Sequence, residues 1–183
     1  MNILADKYKK EVRKQLKEEL GLSNIMAVPK IDKVVLNIGI GRAVADKQWL
    51  EIADSILARI SGQKPLQNKA KKSISNFKIR QGMVVGTKVT LRGNQMYDFL
   101  YKLINSTIPR FRDFYGLDIK KGFDGKGNYT MGFKEHIVFP EIGMDDVEKI
   151  HGLEVSIVTS AKNDKQALAL LRAIGFPFTK SKK

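Results

Sequence analysis

Apolar residues recur at every fourth position near the amino terminus, at Leu4, Tyr8, Val12, Leu16 and Leu20, with charged residues between them. That spacing predicts an amphipathic helix with a Lys-rich polar face, ended by Gly21. From Ile31 the period changes to two. Val34, Leu36, Ile38 and Ile40 alternate with Val35, Asn37, Gly39 and Gly41, as in a strand with one apolar face and Asn37 on the other. A second helix is expected from about Asp46, with Trp49, Leu50, Ala53, Ile56, Leu57 and Ile60 inward and Gly62 as its stop. A short strand is expected over residues 64–68. The next stretch, 69–82, is basic, lacks an apolar period and ends at a glycine, which predicts an exposed loop or a long hairpin tip.

Val85, Thr87, Val89 and Leu91 then alternate with Gly86, Lys88, Thr90 and Arg92, giving a strand with one core face and one polar, cationic face. Asn94 is expected to cap a third helix that turns Met96, Phe99, Leu100, Leu103, Ile104 and Ile108 inward and is interrupted by Pro109. Residues 124–128 (DGKGN) form a turn cluster before strand-like Tyr129, Met131 and Phe133. After Pro140 comes an acidic patch with Glu141, Asp145, Asp146 and Glu148. A last strand carries Leu153, Val155 and Ile157 on one face, followed by a helix near 163–174 that Gly175 and Pro177 stop. Residues 179–183 read as a flexible basic tail.

Hairpin signals around Gly82 and Gly125 favour an antiparallel sheet over a doubly wound parallel one. The expected class is α+β, an antiparallel sheet with helices packed on one face, as a single domain over residues 1–183 with a long basic loop at 69–82. The opposite face would carry Asn37, Lys88, Thr90 and Arg92 to a ligand, as RNA-recognition sheets use their open side.

A chain of 183 residues, 43% hydrophobic, is long enough for one well-buried core. Its 33 Lys and Arg against 19 Asp and Glu give a net charge of +14, which favours an anionic partner. The charge is also clustered. Between Ser55 and Tyr97 lie Arg59, Lys64, Lys69, Lys71, Lys72, Lys78, Arg80, Lys88 and Arg92 without one Asp or Glu. Such a run repels itself unless a polyanion lies against it, and each phosphate it contacts releases condensed counterions. Nucleic acid is the first expectation, with simple solubility as the plain alternative.

The chain has no cysteine, which excludes disulfides, thiolate nucleophiles and Cys-based metal sites and suits a reducing cytoplasm. Residues 1–21 lack the apolar stretch of a signal peptide, and no segment has the length of a membrane span. A soluble, intracellular protein without a membrane partner is expected. Gly39-Ile40-Gly41 resembles part of a dinucleotide fingerprint, but Val44 holds the third glycine position, so a strand-to-helix turn is preferred. There is no Walker motif, and Asp124-Gly125 reads as a hairpin turn. His136 and His151 are too few and too isolated for a metal site or triad and are expected to be structural. Asp145 and Asp146 are adjacent and cannot converge on one bond, so they suit a helix start or a cationic protein. No cofactor, metal, small-molecule substrate or catalysis is expected. Phe77 could stack on a nucleotide beside Lys78 and Arg80 or anchor its loop to the core.

Eight strings in order carry a resemblance over essentially the whole chain: VVLNIGIG (34–41), SGQKP (61–65), FKIRQG (77–82), KVTLRG (88–93), PRFRDF (109–114), DGKGNY (124–129), FPEI (139–142) and GFPF (175–178). Together they resemble the bacterial ribosomal large-subunit L5 family, whose members bind 5S ribosomal RNA. The short basic end after Phe178 is the one departure. The resemblance implies a structural role in the central protuberance of the large subunit, beside 5S and 23S rRNA in the cytoplasmic ribosome. It implies rRNA contacts at Asn37, Gln63, Lys64, Thr90 and Arg92, with Lys71, Lys72 and Lys88 on phosphate. Contacts with peptidyl-site tRNA are implied for Phe77, Lys78, Arg80 and Gln81. A bridge to a small-subunit head protein is assigned to the segment near Arg112 and to Glu141, Asp145 and Asp146, where acidic charge would meet a basic protein. The alternative is an RNA-modifying enzyme or another basic RNA-binding protein, and a membrane-surface protein would instead use the first helix.

Overall fold

The computed structural model describes residues 3–41, 48–111, 116–143 and 150–179. The first helical stretch consists of α1 (Ile3–Lys7), a π turn at Tyr8–Val12, and α2 (Arg13–Glu19). Leu4, Tyr8, Val12 and Leu16 are all buried. A strict four-residue repeat drifts by about 40° per step around an α-helix of 3.6 residues per turn. The wider π turn offsets that drift and keeps the apolar stripe on one side. Burial, with Tyr97 stacked alongside at 6.5 Å, pushes the Tyr8 phenol up to about 12. Its hydroxyl donates to the Pro29 carbonyl at 3.0 Å.

Five strands form one antiparallel sheet: β1 (Ile31–Gly39), β2 (Leu66–Lys69), β3 (Val84–Leu91), β4 (Tyr129–Phe133) and β5 (Leu153–Thr159). Their order is β2-β3-β1-β5-β4. Alternation decides what each strand buries. Val34, Leu36 and Ile38 of β1, Val89 and Leu91 of β3, Met131 and Phe133 of β4, and Val155 and Ile157 of β5 are all in the core. The helices are α3 (Gln48–Ser61), α4 (Gly93–Lys102), α5 (Ile119–Gly122) and α6 (Asp164–Ile174). The fold is α+β.

Two compact units are distinguishable, Met1–Val34 with Leu91–Met131 and Ser156–Lys183, and Val35–Thr90 with Gly132–Val155; β1, β3, β4 and β5 contribute residues to both. In the first unit, α1 packs on α4 and α2 on α6. Asn163 caps α6 by accepting from the Gln166 amide at 3.0 Å, while Gln166 Oε1 accepts from the Lys162 amide at 3.1 Å. The turn at 124–128 forms as expected. Asp124 Oδ1 accepts from the amides of Lys126 and Asn128, and Oδ2 accepts from the Asn128 side chain at 2.6 Å. The Asn128 side chain first, and then these amides, hold the Asp124 carboxyl below its ordinary value.

Three local expectations need correction. The expected strand at 64–68 starts only at Leu66, because Pro65 has no amide to donate. The cap of α4 is Arg92, extended at φ −139° and ψ 163°, and Asn94 falls inside the first turn. Pro109 does not stop that helix at once: it continues through a π turn (Leu103–Thr107) into a 3-10 turn (Ile108–Arg110) that contains Pro109 and ends one residue after it. Gly39 and Gly41 lie where β1 gives way to the connection toward α3, as expected, and neither uses a positive φ. With Ile40, Trp49, Ile150, His151 and Gly152 they line a pocket of about 370 Å3. The beginning of the second helix at Asp46 and the tail beyond Thr179 lie outside the described residues.

Gly86 is the tightest point in the second unit. A Cβ there would stand 2.5 Å from the Ile38 carbonyl oxygen of β1, and that neighbour is backbone. Gly86→Ala is therefore expected to lower stability by about 1–3 kcal/mol as the strands are forced apart. Urea unfolding of the full chain measures this, and an unchanged midpoint would contradict the close approach.

Candidate nucleic-acid interface

Register sorts the side chains of β2 and β3 between the two faces. Leu66 lies opposite Lys88, Gln67 opposite Thr87 and Asn68 opposite Gly86. Directly opposed residues share a face. Gln67 Nε2 donates to Asp54 Oδ2 of α3 at 2.8 Å, and Thr87 beside it is fully buried, so α3 covers that side. Asn68 belongs to the other side. Its Nδ2 donates to Asn37 Oδ1 at 3.3 Å, and Asn37 Nδ2 donates to Glu154 Oε2 at 3.1 Å.

This polar row runs from β2 to β1 to β5. Asn68 and Asn37 are two strands apart, a separation of roughly 10 Å that two asparagines can bridge only across an empty position. Gly86 of β3, directly opposite Asn68, offers no side chain on that path. Lys88 and Thr90, two and four residues beyond Gly86, fall on the same face by alternation and are half-buried. Arg92 is exposed and extends the alternation of the strand, since its own backbone is extended.

Gln63 and Lys64 are exposed just after α3. Ser61 Oγ accepts from the Gln63 amide at 3.2 Å while donating to the Leu57 carbonyl at 2.6 Å, which fixes how the chain leaves the helix. Between β2 and β3 the backbone continues to pair. The Ala70 amide donates to the Met83 carbonyl at 2.8 Å and the Gly82 amide to the Ala70 carbonyl at 2.9 Å. Ile74 and Ile79 exchange amide bonds of 2.8 and 3.1 Å around a 3-10 turn at Ser75–Phe77. Residues 70–83 thus form a hairpin tip, with Lys78 left-handed at φ 55°. Lys71, Lys72, Lys78, Arg80 and Gln81 are exposed on it. Phe77 is 68% exposed, so it does not anchor the tip to the core.

Among the described residues Lys64, Lys71, Lys72, Lys78, Arg80, Lys88 and Arg92 make no ion pair. Asn37, Lys88 and Thr90 share a face, and the tip carries its own group. Asn68, Gly86 and Glu154 are the participants that sequence reasoning missed. Asn68 sits in a strand too short to show a period, whereas Glu154 could have been found as the polar position between Leu153 and Val155.

The two histidines, fifteen residues apart in the sequence, meet in the fold. Their rings stack at 4.2 Å and 16°, and His136 is fully buried, since residues 136 and 151 meet across the fold. Among the described residues no group of His, Cys, Asp and Glu could hold a metal ion, and no helix is long and apolar enough to cross a membrane. Glu141 is half-buried, while Arg112, Asp145 and Asp146 lie outside the described residues.

Two family models match the chain: that of ribosomal protein L5 over residues 24–80, and that of the C-terminus of the same ribosomal family over residues 84–178. The chain belongs to the ribosomal protein L5 family. Similar relatives include large ribosomal subunit protein uL5 of Halothermothrix orenii, 52% identical over 97% of this chain and 99% of the relative. Large ribosomal subunit protein uL5 of Streptococcus pneumoniae is 54% identical over 98% of this chain and 99% of the relative. The L5 family is structural and non-enzymatic.

Exposure of Phe77 has a direct consequence for this L5 protein. Phe77→Ala should change folding stability by no more than about 0.5 kcal/mol. A thermal melt or urea titration tests it, and a loss of core-residue size would show that the ring is buried in solution.

Proposed function

We propose that this L5 protein, a structural constituent of the large ribosomal subunit in the cytoplasmic ribosome, binds 5S rRNA in the central protuberance through the open face of its sheet. The whole chain is taken as one RNA-binding domain, and 23S rRNA borders it. The observation that supports the reading is a polar face that α3 does not cover: half-buried Asn37, Lys88 and Thr90 lie on the side of the sheet opposite α3. Neutral amides and hydroxyls there can pair with base edges and sugars, which carry identity, whereas lysines at the margin hold phosphate. Gln63, Lys64, Lys71 and Lys72 supply that margin, with Arg92 just beyond β3.

The hairpin tip is a separate surface of the same chain. An exposed aromatic ring flanked by Lys78, Arg80 and Gln81 suits stacking on a nucleotide with phosphate held beside it, and we assign it to the peptidyl-site tRNA. Glu141, with Arg112, Asp145 and Asp146, is assigned to a basic protein of the small-subunit head, because complementary charge orients such an encounter.

Lys71 and Lys72 test the rRNA reading. Replacing both with Ala should weaken binding of 5S rRNA and reduce the slope of log K against log salt by about one to two units. Filter binding or fluorescence anisotropy over a salt series measures both quantities. Unchanged affinity and slope would remove these lysines from the interface.

A further inference from the structure

The open face contains one carboxylate that the rRNA reading does not use. Glu154 is exposed on β5, on a surface where every other charge named above is positive, and a free anion there would only repel phosphate. It is not free. Its Oε2 lies 3.1 Å from Asn37 Nδ2, at the end of the row that continues to Asn68. An ionised carboxylate can only accept hydrogen bonds, so the Asn37 atom facing it must be the NH2 group. Asn37 Oδ1 is then turned toward β2, where the only complementary group of Asn68 is its own NH2.

The carboxylate therefore sets the sense of both amides. A neutral amide in its place could donate or accept, and the row would have two directions of nearly equal energy. With the carboxylate at one end there is a single direction. Asn37 Nδ2 and Asn68 Nδ2 each keep one hydrogen for a ligand, and Asn68 Oδ1 accepts no bond among the described residues. Two donors and one acceptor in fixed order match a nucleobase edge, which offers both kinds of group. They do not match a phosphate, which only accepts.

We propose that Glu154 is a positioning residue: it fixes the amide orientation of Asn37 and Asn68 so that the open face discriminates among nucleobase edges. This rests on the 5S rRNA reading above. The acid weakens general affinity for RNA and raises selectivity, a division of roles in which a repulsive element suppresses wrong partners.

The test compares the full chain with its Glu154→Gln, Asn37→Ala and doubly substituted forms, binding 5S rRNA and an unrelated RNA of equal length. Glu154→Gln keeps the shape of the side chain but can donate as well as accept. It should tighten binding of the unrelated RNA, because a like charge is gone, while the preference for 5S rRNA falls about three- to tenfold. In the Asn37→Ala background the same change should leave the preference as it stands. The Asn37 side-chain amide resonances of the free protein should shift on Glu154→Gln, with the backbone amide spectrum otherwise retained. Equal tightening of both RNAs with an unchanged preference would reduce Glu154 to a surface charge and overturn the proposal. So would an equal fall in preference with Asn37 already removed. If the unsubstituted protein binds both RNAs alike, the 5S rRNA reading fails first and takes the proposal with it.

Discussion

The close approach of β1 and β3 at Gly86 is the constraint from which the candidate interface follows. With no side chain at that position, the Ile38 carbonyl oxygen can come within 2.5 Å of where a Cβ would stand, and the Ile40 amide reaches the Val85 carbonyl at 2.9 Å. Asn68 of β2, directly opposite Gly86, reaches Asn37 of β1 at 3.3 Å on the same sheet. A methyl group at Gly86 would meet the Ile38 carbonyl and force the two strands apart. The packing of β3 on β1 therefore depends on one missing side chain.

Alternation does the rest. Once Leu36 and Ile38 are committed to the core, Asn37 has to face the other way, and Thr87 and Val89 impose the same on Lys88 and Thr90. Half-burial limits the motion of these polar side chains, so hydrogen bonds to a ligand cost less ordering than they would from a loop. The exposed lysines at 64, 71 and 72 keep their freedom, which suits contacts that need charge more than direction. Acids are absent from residues 55–97, and the acid that does stand on the face, Glu154, is tied to an amide.

Much of this was legible in the sequence because strands of seven to nine residues with a clean period leave little freedom. The faces of β1, β3 and β5 follow from counting by two, and the stripe of α1 and α2 from counting by four. The π turn that straightens the stripe could only be inferred from the unusual regularity of that spacing. What stayed hidden depends on pairing between distant segments. The link from Asn68 to Asn37 needs the β2 register, and the stacked histidines come from positions fifteen residues apart. Four residues of α5 and three at His136–Val138 are too short to show any period. The hairpin at 70–83 was foreseen only as one of two forms, since its ladder is held by backbone groups that sequence pattern does not report.

The central claim is that RNA lies against the open face and its lysine margin. Lysine acetylation of the full chain, with and without 5S rRNA and read by mass spectrometry, tests it most directly. Lys64, Lys71, Lys72 and Lys88 should be protected in the complex, while Lys9, Lys10, Lys14 and Lys17 of the first helical stretch stay reactive. Protection of that helical stretch with the other four lysines unaffected would contradict the account.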